Sequence, residues 1–138
     1  MNSILKISEA TVLAIHTMFM LGMNRDKLIS TREIATSLDV SENHLAKVLQ
    51  KLVKAGFANS IRGPKGGFEL NKDSGSITLL DIYELIEGKI PSGACLLSHP
   101  ICDNKCVLGD LLTSVNNKVK ERLSAKTLNE IVAIYQKK

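Results

Sequence analysis

The sequence predicts a mainly α-helical chain with one small β-hairpin, and three observations predict it. Hydrophobic residues fill 44% of the 138 positions but aromatic ones only 4%, which suits an aliphatic helical core rather than a β-sandwich. Several segments repeat apolar residues at helical spacing behind a serine or threonine cap. Around residues 57–70, short apolar stretches flank a turn holding three glycines, a proline and two cations.

Ser8 caps a first helix running to about Gly22. Ala10, Val12, Leu13, Ala14, Ile15, Met18, Phe19, Met20 and Leu21 cover most of its circumference, so it is expected to be largely buried, partly against a second chain. Ser30-Thr31-Arg32-Glu33 is a capping-box sequence opening a short helix with Ile34, Ala35 and Leu38 inward. Asp39 and Val40 form a turn, and Ser41 caps the next helix. There Leu45, Val48, Leu49, Leu52 and Val53 share one face, opposite Glu42, Asn43, Lys47, Gln50, Lys51 and Lys54; Gly56 stops the helix. This is the helix-turn-helix pattern, although any two adjacent helices of an all-α core would show it too.

The hairpin shifts the balance toward the first. Phe57 and Ile61 are read as one strand face, Phe68 and Leu70 as the other, with Arg62, Lys65 and Gly63, Gly66 and Gly67 at the tip. Glycines let the backbone approach a phosphate, and arginine offers forked donors to phosphates or base edges. The bland alternative is a surface turn with two incidental charges. Helix pair and hairpin together describe a winged helix-turn-helix suited to DNA, consistent with a net charge of +4.

Asn71 to Gly75 is a polar loop, after which Thr78 and Asp81 start a helix ending at Glu87 with Gly88 as its stop. Residues 89–105 lack periodicity and hold Pro91, Gly93, Pro100, Cys95 and Cys102. A long helix is expected from about Val107 to Ser124, with Leu108, Leu111, Leu112, Val115, Val119 and Leu123 as its apolar stripe. With the domain already closed, that stripe points to dimerisation; the alternative is packing back on its own chain. Thr127 and Glu130 open a short last helix through Ile131, Val132, Ile134 and Tyr135. The organisation is thus a DNA-binding domain over 1–88, a cysteine effector loop over 89–106, and a dimerisation helix with a C-terminal helix over 107–138.

The apolar run from Ala10 to Leu21 is too short to span a membrane and lacks a cleavage site, so a cytoplasmic protein is expected. Three cysteines in a reducing compartment argue against a stable disulfide framework. No nucleophile–base pairing, P-loop or dinucleotide fingerprint points to an enzyme.

The run Ser41, Asn43-His44-Leu45, Lys47-Val48, Leu52, Gly56, Arg62-Gly63, Gly66-Gly67 and Leu70 resembles the Rrf2 family of winged-helix regulators. Its members include IscR, the repressor NsrR and CymR, and the Asn-His-Leu pattern is most like the NsrR branch. The resemblance implies a homodimer on a palindromic double-stranded operator, with Ser41, Asn43, Lys47 and Arg62 where relatives touch DNA; the full expected DNA set adds Thr31, His44, Lys51, Lys65 and Gly66. Read by itself, His44 is a packing or surface residue, as is His16. Ala46 stands where IscR carries a glutamate that helps discriminate operators, so that base preference does not transfer.

Cys95, Cys102 and Cys106 offer three soft thiolates in a loop, a donor set suited to an iron–sulfur cluster of the four-iron or two-iron type. In the NsrR branch a carboxylate near the start of the first helix completes the ligation, and Glu9 stands at that place. The IscR arrangement is not reproduced, because Gly109 replaces its histidine. Glu9 also reads as an ordinary first-turn carboxylate, and His99 as a loop histidine or a substitute ligand. A cluster-free thiol switch, a zinc site using His99, Cys102 and Cys106, and control by a protein partner stay open.

Overall fold

The computed structural model describes residues 7–71, 74–91, 97, 101, 107–108 and 110–136. In order they form α1 (Glu9–Met23), α2 (Thr31–Leu38), α3 (Glu42–Lys54), β1 (Ala58–Ile61), β2 (Gly67–Leu70), α4 (Leu79–Glu87), α5 (Leu111–Ser124) and α6 (Leu128–Gln136). Six helices and one antiparallel hairpin are the architecture the sequence predicts.

α1 is the hub. It packs against α2, α3, α4, α6 and β2, which explains why apolar residues surround it. Leu13, Ala14, Met18 and Leu21 are buried, while Ile15, Phe19, Met20 and Met23 stay partly covered. α6 reaches α1 closely because residue 22 has no side chain: a Cβ there would lie 2.8 Å from Val132 Cγ2. Leu128 and Val132 fill that contact, and the Leu128 N–H donates to the Ile77 carbonyl at 2.7 Å.

Thr17 sits in the middle of α1 at 0% exposure, and its hydroxyl has no hydrogen-bond partner among the described residues. A buried hydroxyl left unpaired costs free energy that an apolar group of the same shape does not. Thr17→Val is therefore expected to raise stability by about 1 kcal/mol, read from the urea midpoint at unchanged slope.

The helix-turn-helix follows from local chemistry. The Ser30 hydroxyl accepts the Glu33 N–H at 3.1 Å, and the Ser41 hydroxyl accepts that of His44 at 3.1 Å. The Glu33 carboxylate turns to the Ser30 hydroxyl at 3.3 Å. The reciprocal box forms instead at α4, where Thr78 and Asp81 exchange bonds of 2.9 and 3.2 Å. α3 ends with Gly56 at φ 82° while the Phe57 N–H returns to the Leu52 carbonyl at 3.0 Å.

That helix end shifts the expected hairpin pattern. Because Phe57 finishes α3, β1 begins at Ala58, and side-chain parity moves by one residue. Ala58 pairs with Leu70 on the buried face and Ser60 with Phe68, whereas Ile61 is 45% exposed. The strand therefore turns Ala58 inward, and Phe57 packs beside the helix end. Ile29, between α1 and α2, exchanges backbone bonds of 2.9 and 2.8 Å with Phe68, anchoring the wing to the domain.

Glu87, at the end of α4, accepts the Thr11 hydroxyl at 2.6 Å and the Ser8 N–H at 3.2 Å, tying α4 to the start of α1. The Ser8 side chain first, then the Thr11 hydroxyl, favour the charged carboxylate and lower its pKa; burial opposes them, and the Ser8 N–H adds the smallest contribution. A lowered folded-state pKa contributes stability above the unfolded value and loses it as pH falls through the folded value. Glu87→Gln is expected to destabilise the protein at neutral pH. The gap from the parent should close as pH falls through the acidic carboxylate range, in urea titrations at stepped pH.

α5 starts at Leu111, later than the stripe suggested; Val107 and Leu108 lie in a turn before it. It leans on α4, and none of its residues is buried.

Candidate nucleic-acid interface

The start of α2, the outer side of α3 and the hairpin enclose a shallow groove of about 580 Å³. Its walls are Thr31 from α2, Ala46, Gln50, Val53 and Lys54 from α3, and Ser60, Arg62 and Phe68 from the wing. α3 presents this side because Leu45, Val48, Leu49 and Leu52 are held in the core. The opposite side is then a stripe of exposed residues, Asn43, Lys47, Gln50 and Lys54, with Lys51 at its flank.

The wing tip is a four-residue turn in which the Gly66 N–H donates to the Gly63 carbonyl at 2.9 Å, with Pro64 at its second position. A Cβ at Gly66 would collide with the Ile61 carbonyl oxygen, so the turn needs glycine there. The turn holds Arg62 and Lys65 exposed, Arg62 lining the groove.

Electrostatics favour an anion. Ion pairs among the described residues join Arg32 to Glu42 at 3.4 Å, Glu9 to His44 at 3.7 Å and Lys118 to Glu121 at 3.9 Å. Lys47, Lys51, Lys54, Arg62 and Lys65 enter none of them, so their charge is available to a ligand.

The expected DNA set is gathered on one side with one exception. Thr31 lines the groove, Ser41 serves as the α3 cap, and Asn43, Lys47, Lys51, Arg62, Lys65 and Gly66 lie along α3 and the wing. His44 is half-buried and turned toward α1, its Nδ1 facing the Glu9 carboxylate. Gln50, Lys54 and Ser60 were absent from the expected set. Gln50 and Lys54 continue the spacing of Asn43 and Lys47, a signal present in the sequence.

Of the expected cluster ligands, only Glu9 is described; Cys95, Cys102, Cys106 and His99 lie outside the described residues. Glu9 opens α1 with an exposed carboxylate beside a second shallow groove that includes Val12, His16, Leu38 and Val40. Among the described residues no three His, Cys, Asp or Glu side chains come together as a metal site.

A family model described as an iron-dependent transcriptional regulator, Rrf2, matches residues 7–134. The chain belongs to the Rrf2 family. It is 33% identical over 106 residues to the regulator NsrR of Bacillus licheniformis, covering 70% of this chain and 72% of that one. Among solved structures it resembles CymR, the global cysteine regulator of B. subtilis, with a TM-score of 0.81 and 30% identity over 95% of this chain and 98% of that one. It also resembles IscR of T. potens, with a TM-score of 0.76 and 26% identity over 95% and 88% of the two chains. This Rrf2 chain is a DNA-binding transcriptional regulator with a winged-helix fold, and not an enzyme. None of its described helices is long and apolar enough to cross a membrane.

Proposed function

We propose that this Rrf2 regulator acts as a homodimer on a palindromic operator and takes its signal through Cys95, Cys102 and Cys106. The observation that carries the DNA half is the groove between α3 and the wing, lined by Lys54 and Arg62, with Lys47, Lys51 and Lys65 exposed on the same two elements and all five in no ion pair among the described residues. Asn43 at the first turn of α3 faces base edges, Lys47 and Lys51 face phosphates, and Arg62 and Lys65 carry the wing onto the backbone or into the adjacent groove. Thr31 and the Gly66 backbone complete the contact, while Ser41 and His44 position α3.

The signal is iron–sulfur status, nitric oxide or redox state. Three thiolates suit iron, the family is described as iron-dependent, and Glu9 is exposed where a carboxylate from a second copy would complete the ligation. When bound, the cluster would supply a site that reacts with nitric oxide or oxygen. The segment holding the cysteines leads into α5, so its state would set how the two α3 helices are spaced.

Anaerobic purification with a visible spectrum and iron and sulfide analysis tests the cluster. A brown protein bleached by nitric oxide is expected; a colourless, iron-free protein after reconstitution overturns it. The likeness to a cysteine regulator favours a second reading, a cluster-free thiol switch or control by a partner protein. Single cysteine-to-serine changes that abolish an oxidant response in iron-free protein would select the thiol switch, and co-purification of a stoichiometric partner would select the other.

A further inference from the structure

Among the α3 residues that line the groove, Ala46 and Gln50 have no assigned role. Gln50 is exposed, lies on the stripe of Asn43, Lys47 and Lys54, and its carboxamide bonds to nothing among the described residues. The stripe divides chemically. Lysine is a point charge suited to phosphates, whereas a carboxamide places a donor and an acceptor side by side. That pair matches the N6 amino group and N7 of adenine in the major groove.

Asn43 and Gln50 are the two amides of the stripe. Their sequence separation places them about 10 Å apart along the helix, roughly three base-pair steps of DNA. One cannot substitute for the other, so each addresses a different position of a half-site. Ala46 lies one turn before Gln50 and is half-buried. Its single methyl does not screen the Gln50 amide from the groove, and a methyl is what a thymine methyl packs against.

We propose that Gln50, with Ala46 beside it, reads an A·T pair in each half-site, about three base pairs from the position that Asn43 faces. Gln50 bonds the adenine, and the Ala46 methyl meets the thymine. The assignment rests on the DNA-binding reading of the groove.

Enrichment from randomised DNA duplexes with the full-length protein tests it, comparing the parent with Gln50→Ala, Gln50→Glu and Lys54→Ala. Both positions are exposed, so the variants should keep the parent's melting temperature. The parent is expected to enrich a motif with an A·T pair at one position of each half. Gln50→Ala should lose the preference at that position alone, weaken binding to the parent's site by about ten- to a hundredfold, and leave the salt dependence unchanged. Gln50→Glu should turn the preference toward C·G, because a carboxylate accepts from the cytosine amino group. Lys54→Ala should weaken all sequences alike and lower the salt slope by about one. Gln50→Ala enriching the parent's motif with every preference intact, or behaving like Lys54→Ala, overturns the assignment while DNA binding stands. A parent that enriches no motif overturns the sequence-specific reading of the groove and this assignment with it.

Discussion

Replacing Arg62 with alanine is expected to weaken operator binding by about ten- to a hundredfold, the range for losing a forked, charge-assisted contact. Arg62 follows β1, is exposed, lines the groove and enters no ion pair among the described residues. Nothing within the described fold therefore depends on it, and the melting temperature should be unchanged. Fluorescence anisotropy across a salt series gives two readouts. The affinity falls at every salt concentration, and the slope of log affinity against log salt decreases by about one if the contact is to phosphate. Arg62→Lys separates charge from geometry. A lysine restores a phosphate contact but not a bidentate one, so it should recover the slope and only part of the affinity. An alanine variant matching the parent in both readouts would mean that the wing stays off the DNA.

What could be read from the sequence is what local chemistry decides. A hydroxyl just before a periodic run is a cap wherever it stands, and Ser8, Ser30, Ser41 and Thr78 all cap helices. The buried face of α3 followed from spacing alone, and with it the exposed stripe. The hairpin's parity did not follow, because Phe57 is claimed by the end of α3 and the strand begins one residue later. The Ile29–Phe68 bridge was also hidden: a one-residue pairing has no period. Leu108 kept phase with α5 without belonging to it, since spacing cannot tell a helical residue from one in the preceding turn. At the site, the direction of His44 depended on α1, which no pattern within α3 reports. Gln50 and Lys54 were legible by spacing and needed only the groove to give them a purpose.

Val115→Glu is expected to convert the proposed dimer to monomer and to cost more operator affinity than any single contact on α3. α5 holds no buried residue, yet its sequence repeats Leu111, Leu112, Val115, Val119 and Leu123 along one side. Leu111 is 52% exposed and Val115 46%, while the Lys118–Glu121 pair lies on the same helix off that stripe. Leu112, Val119 and Leu123 are only partly covered, so an apolar stripe of this length is incompletely buried within one chain; such a surface marks an interaction site, and in a two-fold dimer it would meet its own copy. In the isolated chain, the introduced carboxylate would extend into solvent, and glutamate is a better helix former than valine. The monomer fold is then expected to hold, with its circular dichroism unchanged. Across the two-fold axis the same change buries two like charges without partners, which costs several kcal/mol. Sedimentation should show the monomer, and full-operator affinity should fall by a factor on the order of a hundred or more, the gain that linking two half-site contacts supplies. Binding to an isolated half-site should not change, because the groove between α3 and the wing lies within one chain. A dimeric Val115→Glu protein would place the interface off the middle of this stripe. A monomeric one that still binds the full operator at parent affinity would show that one copy of α3 and its wing is enough.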